Sequence, residues 1–105
     1  MKTIRILGKD KRILPIESIV LLEAKINYTC IHLDDGSRFL SSFHLGSYQQ
    51  KLPDFLRINK SFLVNQSFVK AIAEGAVVQL KNGVLVEPSR RRKAFILNKL
   101  NSLLN

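Results

Sequence analysis

The chain has little of what small-molecule chemistry uses. A single cysteine, Cys30, excludes an internal disulfide and is too few for a cysteine metal site. His32 and His44 are the only histidines and have no third ligand at metal-binding spacing, so neither a metal nor another cofactor is expected. Five glycines scattered singly form no phosphate-cradling loop. With three prolines they are also too few for a fibrous or disordered chain. Tryptophan is absent and aromatics reach only 8 %, which gives little support to a single-strand binder built on stacked rings. No apolar run approaches the ~20 residues of a membrane span. The opening Met1-Lys2-Thr3-Ile4-Arg5 lacks a signal-peptide core, so no membrane partner and a cytoplasmic location are expected. No acid, base and nucleophile stand at meaningful spacing, which sets an enzyme aside.

Acidic residues are scarce too. Eight Asp and Glu face seventeen Lys and Arg in 105 residues, a net charge of +9. The excess is uneven: residues 1–55 hold eight Lys and Arg against six acids, whereas residues 56–105 hold nine against two, Glu74 and Glu87. Such an excess repels itself in a folded state and suggests a polyanionic partner. Charge by itself does not separate DNA from RNA or from an anionic membrane, and a solvated basic surface would look the same.

What the chain does have is strand periodicity. Ile4-Arg5-Ile6-Leu7 and Arg12-Ile13-Leu14 flank Gly8-Lys9-Asp10-Lys11, which predicts a hairpin ended by Pro15. Ile19-Val20-Leu21-Leu22-Glu23-Ala24 predicts a buried strand, followed after Lys25-Ile26-Asn27 by an alternating strand over 28–33. Asp34-Asp35-Gly36-Ser37 turns the chain back into Arg38-Phe39-Leu40. Val77–Lys81 and Val84–Val86 flank Asn82-Gly83, a dipeptide suited to the positive φ angles of a tight hairpin. Leu45, Tyr48 and Leu52 are spaced as one helix face, with Ser41 or Ser42 as cap and Pro53 as stop. A terminal helix after Pro88-Ser89 carries the stripe Phe95, Ile96, Leu97, Leu100, Leu103 and Leu104, read as core ahead of a dimer seam. There is no linker, repeat or low-complexity tract. The expected architecture is one mainly β domain over 1–105, with a short internal helix and a terminal one.

Two segments carry the chemistry. With Ser89 as helix cap, Arg90, Arg91, Arg92 and Lys93 occupy the first helical turn, where the macrodipole disfavours each cation by roughly 0.3–1 kcal/mol. Folding alone would prefer acids there; a phosphate backbone would reverse the sign. In Phe55–Asn65, Leu56, Ile58, Phe62 and Val64 are placed to face a core while Arg57, Asn59, Lys60 and Asn65 look outward. Asn reads adenine, and Arg or Lys reads guanine or grips phosphate. Asn59 and Asn65 suit equally well the role of turn formers bonded to local backbone. Other residues have plainer readings. Cys30 sits mid-strand as a packed thiol, Asp34-Asp35 belongs to a turn, and Phe39, Phe43, Phe55, Phe62, Phe68 and Phe95 lie beside apolar neighbours as core. Tyr28, next to Asn27, is the candidate for an exposed ring.

Taken in order, these motifs resemble the LytTR family, the DNA-binding output domain of bacterial response regulators. The carriers are Glu23-Ala24 with Asn27-Tyr28-Thr29, then His32-Leu33-Asp34-Asp35-Gly36, the helix ending at Leu52-Pro53, the stretch Phe55–Asn65, and Asn82-Gly83 with Val86, Ser89 and Arg90. The resemblance runs nearly end to end. It implies short antiparallel strands in small stacked sheets. It also implies sequence-specific binding of double-stranded DNA, with loops in successive major grooves, bending of the duplex, tandem direct repeats as targets and self-association on DNA. Carried over residue by residue, Asn27, Lys60 and Arg91 are expected to contact bases, and Arg57, Arg90, Arg92 and Lys93 to contact phosphates or support the loops. Asn59 stands where the family often has histidine, and Lys60 where arginine is frequent; lysine keeps the charge and loses the planar fork. Family members usually add a receiver or a membrane segment; 105 residues hold neither, which leads one to expect a stand-alone regulator or an excised domain. Two other readings stand beside this one, a small basic β-rich RNA-binding protein and an interaction module.

Overall fold

The structure, a computed structural model, describes residues 2–6 and 12–104. Strands β1 (Thr3–Ile6) and β2 (Arg12–Pro15) pair antiparallel from Thr3 opposite Pro15 to Ile6 opposite Arg12, as the periodicity predicts. The turn expected at Gly8–Lys11 lies outside the described residues. A five-stranded sheet follows, in the order β5-β4-β3-β7-β6: β3 (Ile19–Ala24), β4 (Thr29–Leu33), β5 (Arg38–Ser41), β6 (Phe55–Arg57) and β7 (Phe62–Asn65). Helix α1 (Leu45–Lys51) links β5 to β6. A three-stranded sheet is made of β8 (Val69–Ala73), β9 (Val77–Leu80) and β10 (Leu85–Val86), and α2 (Lys93–Leu104) ends the fold. All pairings among the described strands are antiparallel. The mainly β architecture of small stacked sheets is thus as the sequence predicts.

The continuous apolar run of β3 follows from its place. It is the middle strand of the five, and the sheet is covered on both faces. Ile19 and Leu22 join Ile31, Leu63 and Phe55 in a core completed by Ile4, Ile6 and Leu14 of the first hairpin and by Leu45, Tyr48 and Leu52. Val20 and Leu21 join Leu56, Ile58 and Val64 in a second core, completed by Val69, Val78, Leu80 and Val86 and by Ile96 and Leu100 of α2. A register shift between Ile19 and Leu21 accommodates the change of face. Each such side chain contributes roughly 1.5–3 kcal/mol of burial.

Three hairpin loops are three residues long and closed by the same backbone bond. Leu33 and Ser37 close a three-residue loop through Leu33 N to Ser37 O at 2.9 Å, with Gly36 at φ +88°. Leu80 and Val84 do the same at 2.9 Å, with Gly83 at φ +90°. In both, the middle side chain caps the exit: Asp35 Oδ1 accepts from Ser37 N, and Asn82 Oδ1 accepts from Val84 N. The Asn82-Gly83 expectation is therefore corrected in detail. Only Gly83 takes positive φ, as Gly36 does in the other loop of this form, whereas a two-residue turn would use two such positions. Ile58 N to Phe62 O closes the third loop at 3.0 Å without any glycine.

Two caps also differ from expectation. The residue before α1 is His44, whose carbonyl accepts from Ser47 N and Tyr48 N, and it makes no side-chain cap. Ser41 belongs to β5 instead, where its hydroxyl accepts from Phe43 N and bonds the buried Tyr48 hydroxyl. Asn65 is turned inward rather than outward. Its Nδ2 donates to Ile19 O at 2.9 Å and its Oδ1 accepts from Ser67 N at 3.0 Å, capping a short 3-10 turn. Asn65→Ala is expected to lower stability by ~2–3 kcal/mol in urea titration with an unchanged m-value, because a buried carbonyl loses its donor and the turn loses its cap. A loss below ~0.5 kcal/mol would mean that water replaces the amide.

The terminal stripe divides. Ile96 and Leu100, four residues apart, enter the core, while Phe95, 100° round the helix, is 58 % exposed and Leu103 and Leu104 are exposed as well. Phe95 is thus not the core aromatic that its neighbours suggest. No helix among the described residues is long and apolar enough to cross a membrane.

Candidate nucleic-acid interface

The residues expected to touch DNA lie on three loops, with Arg57 at the end of β6 and Lys93 at the start of α2, and hydrogen bonds stitch those loops together. The first, Lys25-Ile26-Asn27-Tyr28, joins β3 to β4 and is closed by Lys25 N to Tyr28 O at 2.8 Å. The second, Asn59-Lys60-Ser61, joins β6 to β7. Ala24 N donates to Ser61 O at 2.8 Å, which fixes the first loop beside the second. The third, Glu87 to Arg92, runs from β10 to α2. Ser89 N donates to Ile58 O at 3.0 Å and Asn59 Nδ2 to Glu87 O at 2.8 Å, which fixes the third loop on the second's other side.

Asn27, Lys60, Arg90, Arg91 and Lys93 are exposed on this array and Arg92 is half-buried. The terminal helix begins later than the Ser89 cap predicts. Ser89 is held by Ile58, and its carbonyl accepts from Arg92 N at 3.1 Å, so 90–92 form a turn and the first helical bond runs from Ile96 N to Arg92 O at 2.9 Å. Only Lys93 stands in the first helical turn; the three arginines precede it, still beside the positive end of the helix.

Arg57 and Asn59 hold the middle loop. Arg57 Nε donates to Asn59 O at 2.8 Å, Nη2 to Lys60 O at 2.7 Å and Nη1 to Gln49 Oε1 at 2.9 Å. Asn59 Oδ1 accepts from Ser61 N at 2.8 Å and Phe62 N at 3.0 Å, capping this loop's amides from its first position where Asp35 and Asn82 cap one amide each from the middle of theirs. Burial and then the charge of Arg92 hold the Arg57 guanidinium below its ordinary pKa. Gln49, Arg57, Arg92, Phe95 and Lys99 also line a cleft of about 270 Å³. Gln49 and Lys99 carry no local motif that would mark them in the sequence.

The model of one protein family, the LytTr DNA-binding domain, matches residues 9–101. The chain belongs to the LytTR family. This makes it a DNA-binding domain of transcription regulation. Among solved structures, the LytTr DNA-binding domain of a Bacillus cereus protein described as a methyl-accepting/DNA response regulator is similar to it in fold. The TM-score is 0.80 at 21 % identity, over 95 % of this chain and 97 % of that one. No curated protein sequence matches significantly.

The residues that hint at other chemistry have local roles in this LytTR domain. Cys30 is buried in β4, and burial pushes its thiol up, away from the reactive thiolate. His32 Nε2 lies 3.2 Å from Glu23 Oε1, whose other oxygen pairs with Lys25 Nζ at 3.1 Å. Asp35 accepts from the backbone and hydroxyl of Ser37, which hold its carboxyl below the usual range.

Proposed function

We propose that the LytTR domain binds double-stranded DNA sequence-specifically by inserting the loops over 25–28, 59–61 and 87–92 into successive major grooves. The observation that carries this reading is the stitching of the three loops through Ala24–Ser61, Ser89–Ile58 and Asn59–Glu87. Loops fixed to one another present Asn27, Lys60 and Arg91 as one preset pattern, so little ordering has to occur on binding. Asn27 suits adenine, and Lys60 and Arg91 suit guanine or phosphate. Arg90, Arg92 and Lys93 serve as phosphate grips. Arg57 and Asn59, with their polar atoms bonded within the loop, act as supports. The whole domain is 39 Å long and the three loops, hydrogen-bonded to one another, occupy only part of it, against the ~34 Å between successive major-groove faces. Reaching both grooves favours DNA that curves toward the protein, at an elastic cost of order 1–6 kcal/mol offset by added contacts. Tandem binding to direct repeats, with self-association only on DNA, completes the reading, and a regulator of this kind works in the cytoplasm.

Selection of bound duplexes from a random pool tests it. A short motif repeated in direct orientation is expected, with circular-permutation mobility showing a bend. Equal affinity for selected and scrambled duplexes at every salt concentration would sink the claim of specificity. Preference for RNA duplexes in competition would favour the RNA-binding reading. Arg91→Ala is expected to relax one base position by ~1–3 kcal/mol. A loss uniform over all sequences would make Arg91 a phosphate contact.

A further inference from the structure

Ile26 is 96 % exposed, the most exposed large apolar side chain among the described residues. The other strongly exposed aliphatics, such as Ile13, Leu40 and Leu85, lie on β2, β5 and β10. Ile26 lies instead on the first loop of the interface, between Lys25 and Asn27, beside Tyr28, which is 39 % exposed. Nothing in the fold calls for isoleucine there. The side chain is almost wholly in solvent, and the loop uses no positive φ. Turn positions of this kind favour Asn, Asp, Ser or Gly, and a β-branched residue has no local advantage. What the position offers is a stiff, branched apolar group next to Asn27, on a loop fixed by Ala24–Ser61 to the loop of Lys60.

We propose that Ile26 is a base-reading residue that packs against the C5-methyl group of a thymine neighbouring the base read by Asn27. In the major groove the thymine methyl is the one apolar group that a base edge presents, and aliphatic side chains recognise it by contact. Isoleucine forms no hydrogen bond, so it reads that methyl and nothing else on the base edge. The two residues divide the work: Asn27 reads donors and acceptors, and Ile26 excludes water from an adjacent methyl. The inference rests on the reading in which the loop of Asn27 enters a major groove.

Deoxyuridine scanning tests it, since uracil keeps every hydrogen-bonding group of thymine and lacks only the methyl. Each thymine of a selected duplex is replaced in turn, and affinity is measured for the unaltered domain and for Ile26→Ala. One position is expected to weaken unaltered binding about three- to tenfold, the factor for removing a methyl from a packed contact. Ile26→Ala should bind the thymine duplex more weakly by a similar factor, ignore uracil at that position, keep the same salt slope and melt at the same temperature. No uracil-sensitive position, or the same sensitivity in Ile26→Ala, overturns the assignment. Asn27→Ala and Arg91→Ala separate the two levels. If both lose specificity while uracil is silent, only the role of Ile26 fails. If both bind as the unaltered domain does, the groove-facing reading fails with it.

Discussion

Raising monovalent salt from 50 to 200 mM is expected to weaken binding of a selected duplex by about a thousandfold. The exposed cations Lys60, Arg90, Arg91 and Lys93, with half-buried Arg92, can neutralise ~5 phosphates between them. Each neutralised phosphate releases condensed counterions and adds about −0.9 to the slope of log affinity against log salt. The total is a slope near −4.5, and a fourfold change in salt then multiplies to nearly three decades. Fluorescence anisotropy across that range measures it. A slope shallower than about −2 would mean that the loops touch few phosphates and that the charge serves another surface. Lys93→Gln and Arg90→Gln should each flatten the slope by about one and weaken cognate and scrambled duplexes alike. Asn27→Ala should leave the slope unchanged and reduce only the preference for the cognate site, since a neutral amide displaces no counterion.

The same division between grip and reading explains which features were legible in the sequence. The run Ile19–Leu22 announced a strand buried on both faces, and the structure places it between two cores. Leu45, Tyr48 and Leu52 announced a helix face, and all three are buried. Patterns of this kind survive because burial acts on every residue of a period. Single polar residues carry no such redundancy. Asn65 alternates like an outward residue, yet it turns inward because the Ile19 carbonyl and the Ser67 amide both need a partner in the interior. Ser89 looked like a cap, but its amide is held by Ile58, a partner 31 positions earlier that no local pattern reveals. The loops of the site were legible as loops, and their mutual attachment was not. It depends on Ala24–Ser61, which the pairing of β3 with β7 brings together, and on Asn59–Glu87, which joins the end of β6 to the segment after β10 of the other sheet.

Arg57→Ala is expected to lower affinity for the cognate duplex by a hundredfold or more, a larger loss than removing any one phosphate grip. The guanidinium donates to two successive carbonyls of the middle loop, Asn59 O and Lys60 O, and its third bond anchors that loop to Gln49 on α1. Charge-assisted bonds of this type contribute ~1.5–3 kcal/mol each when buried; two of these are exposed, so about 3 kcal/mol in total is a reasonable sum. The middle loop adjoins both others, so freeing it releases Lys60 directly and loosens Asn27 and Arg91 through Ser61 and Ile58. Arg57→Lys decides whether charge or geometry is at work. Lysine keeps the positive charge but cannot reach three acceptors with one ammonium, so it should fail nearly as badly as alanine. Recovery of affinity by lysine would instead make Arg57 a phosphate contact. Asn59→Ala should reproduce most of the loss, because the Ser61 and Phe62 amides lose their common acceptor. Gln49→Ala, which removes one exposed bond of the three, should cost only a few-fold. Thermal melts of each variant separate loop disorder from unfolding. The loop lies at the end of β6 and β7, outside both cores, so stability should fall by no more than about 1–2 kcal/mol while binding falls by more. Burial and the nearby charge of Arg92 oppose the Arg57 guanidinium, and its bonds to Asn59 O, Lys60 O and Gln49 Oε1 offset them, so on the proposed reading the fork keeps the middle loop in shape before DNA arrives.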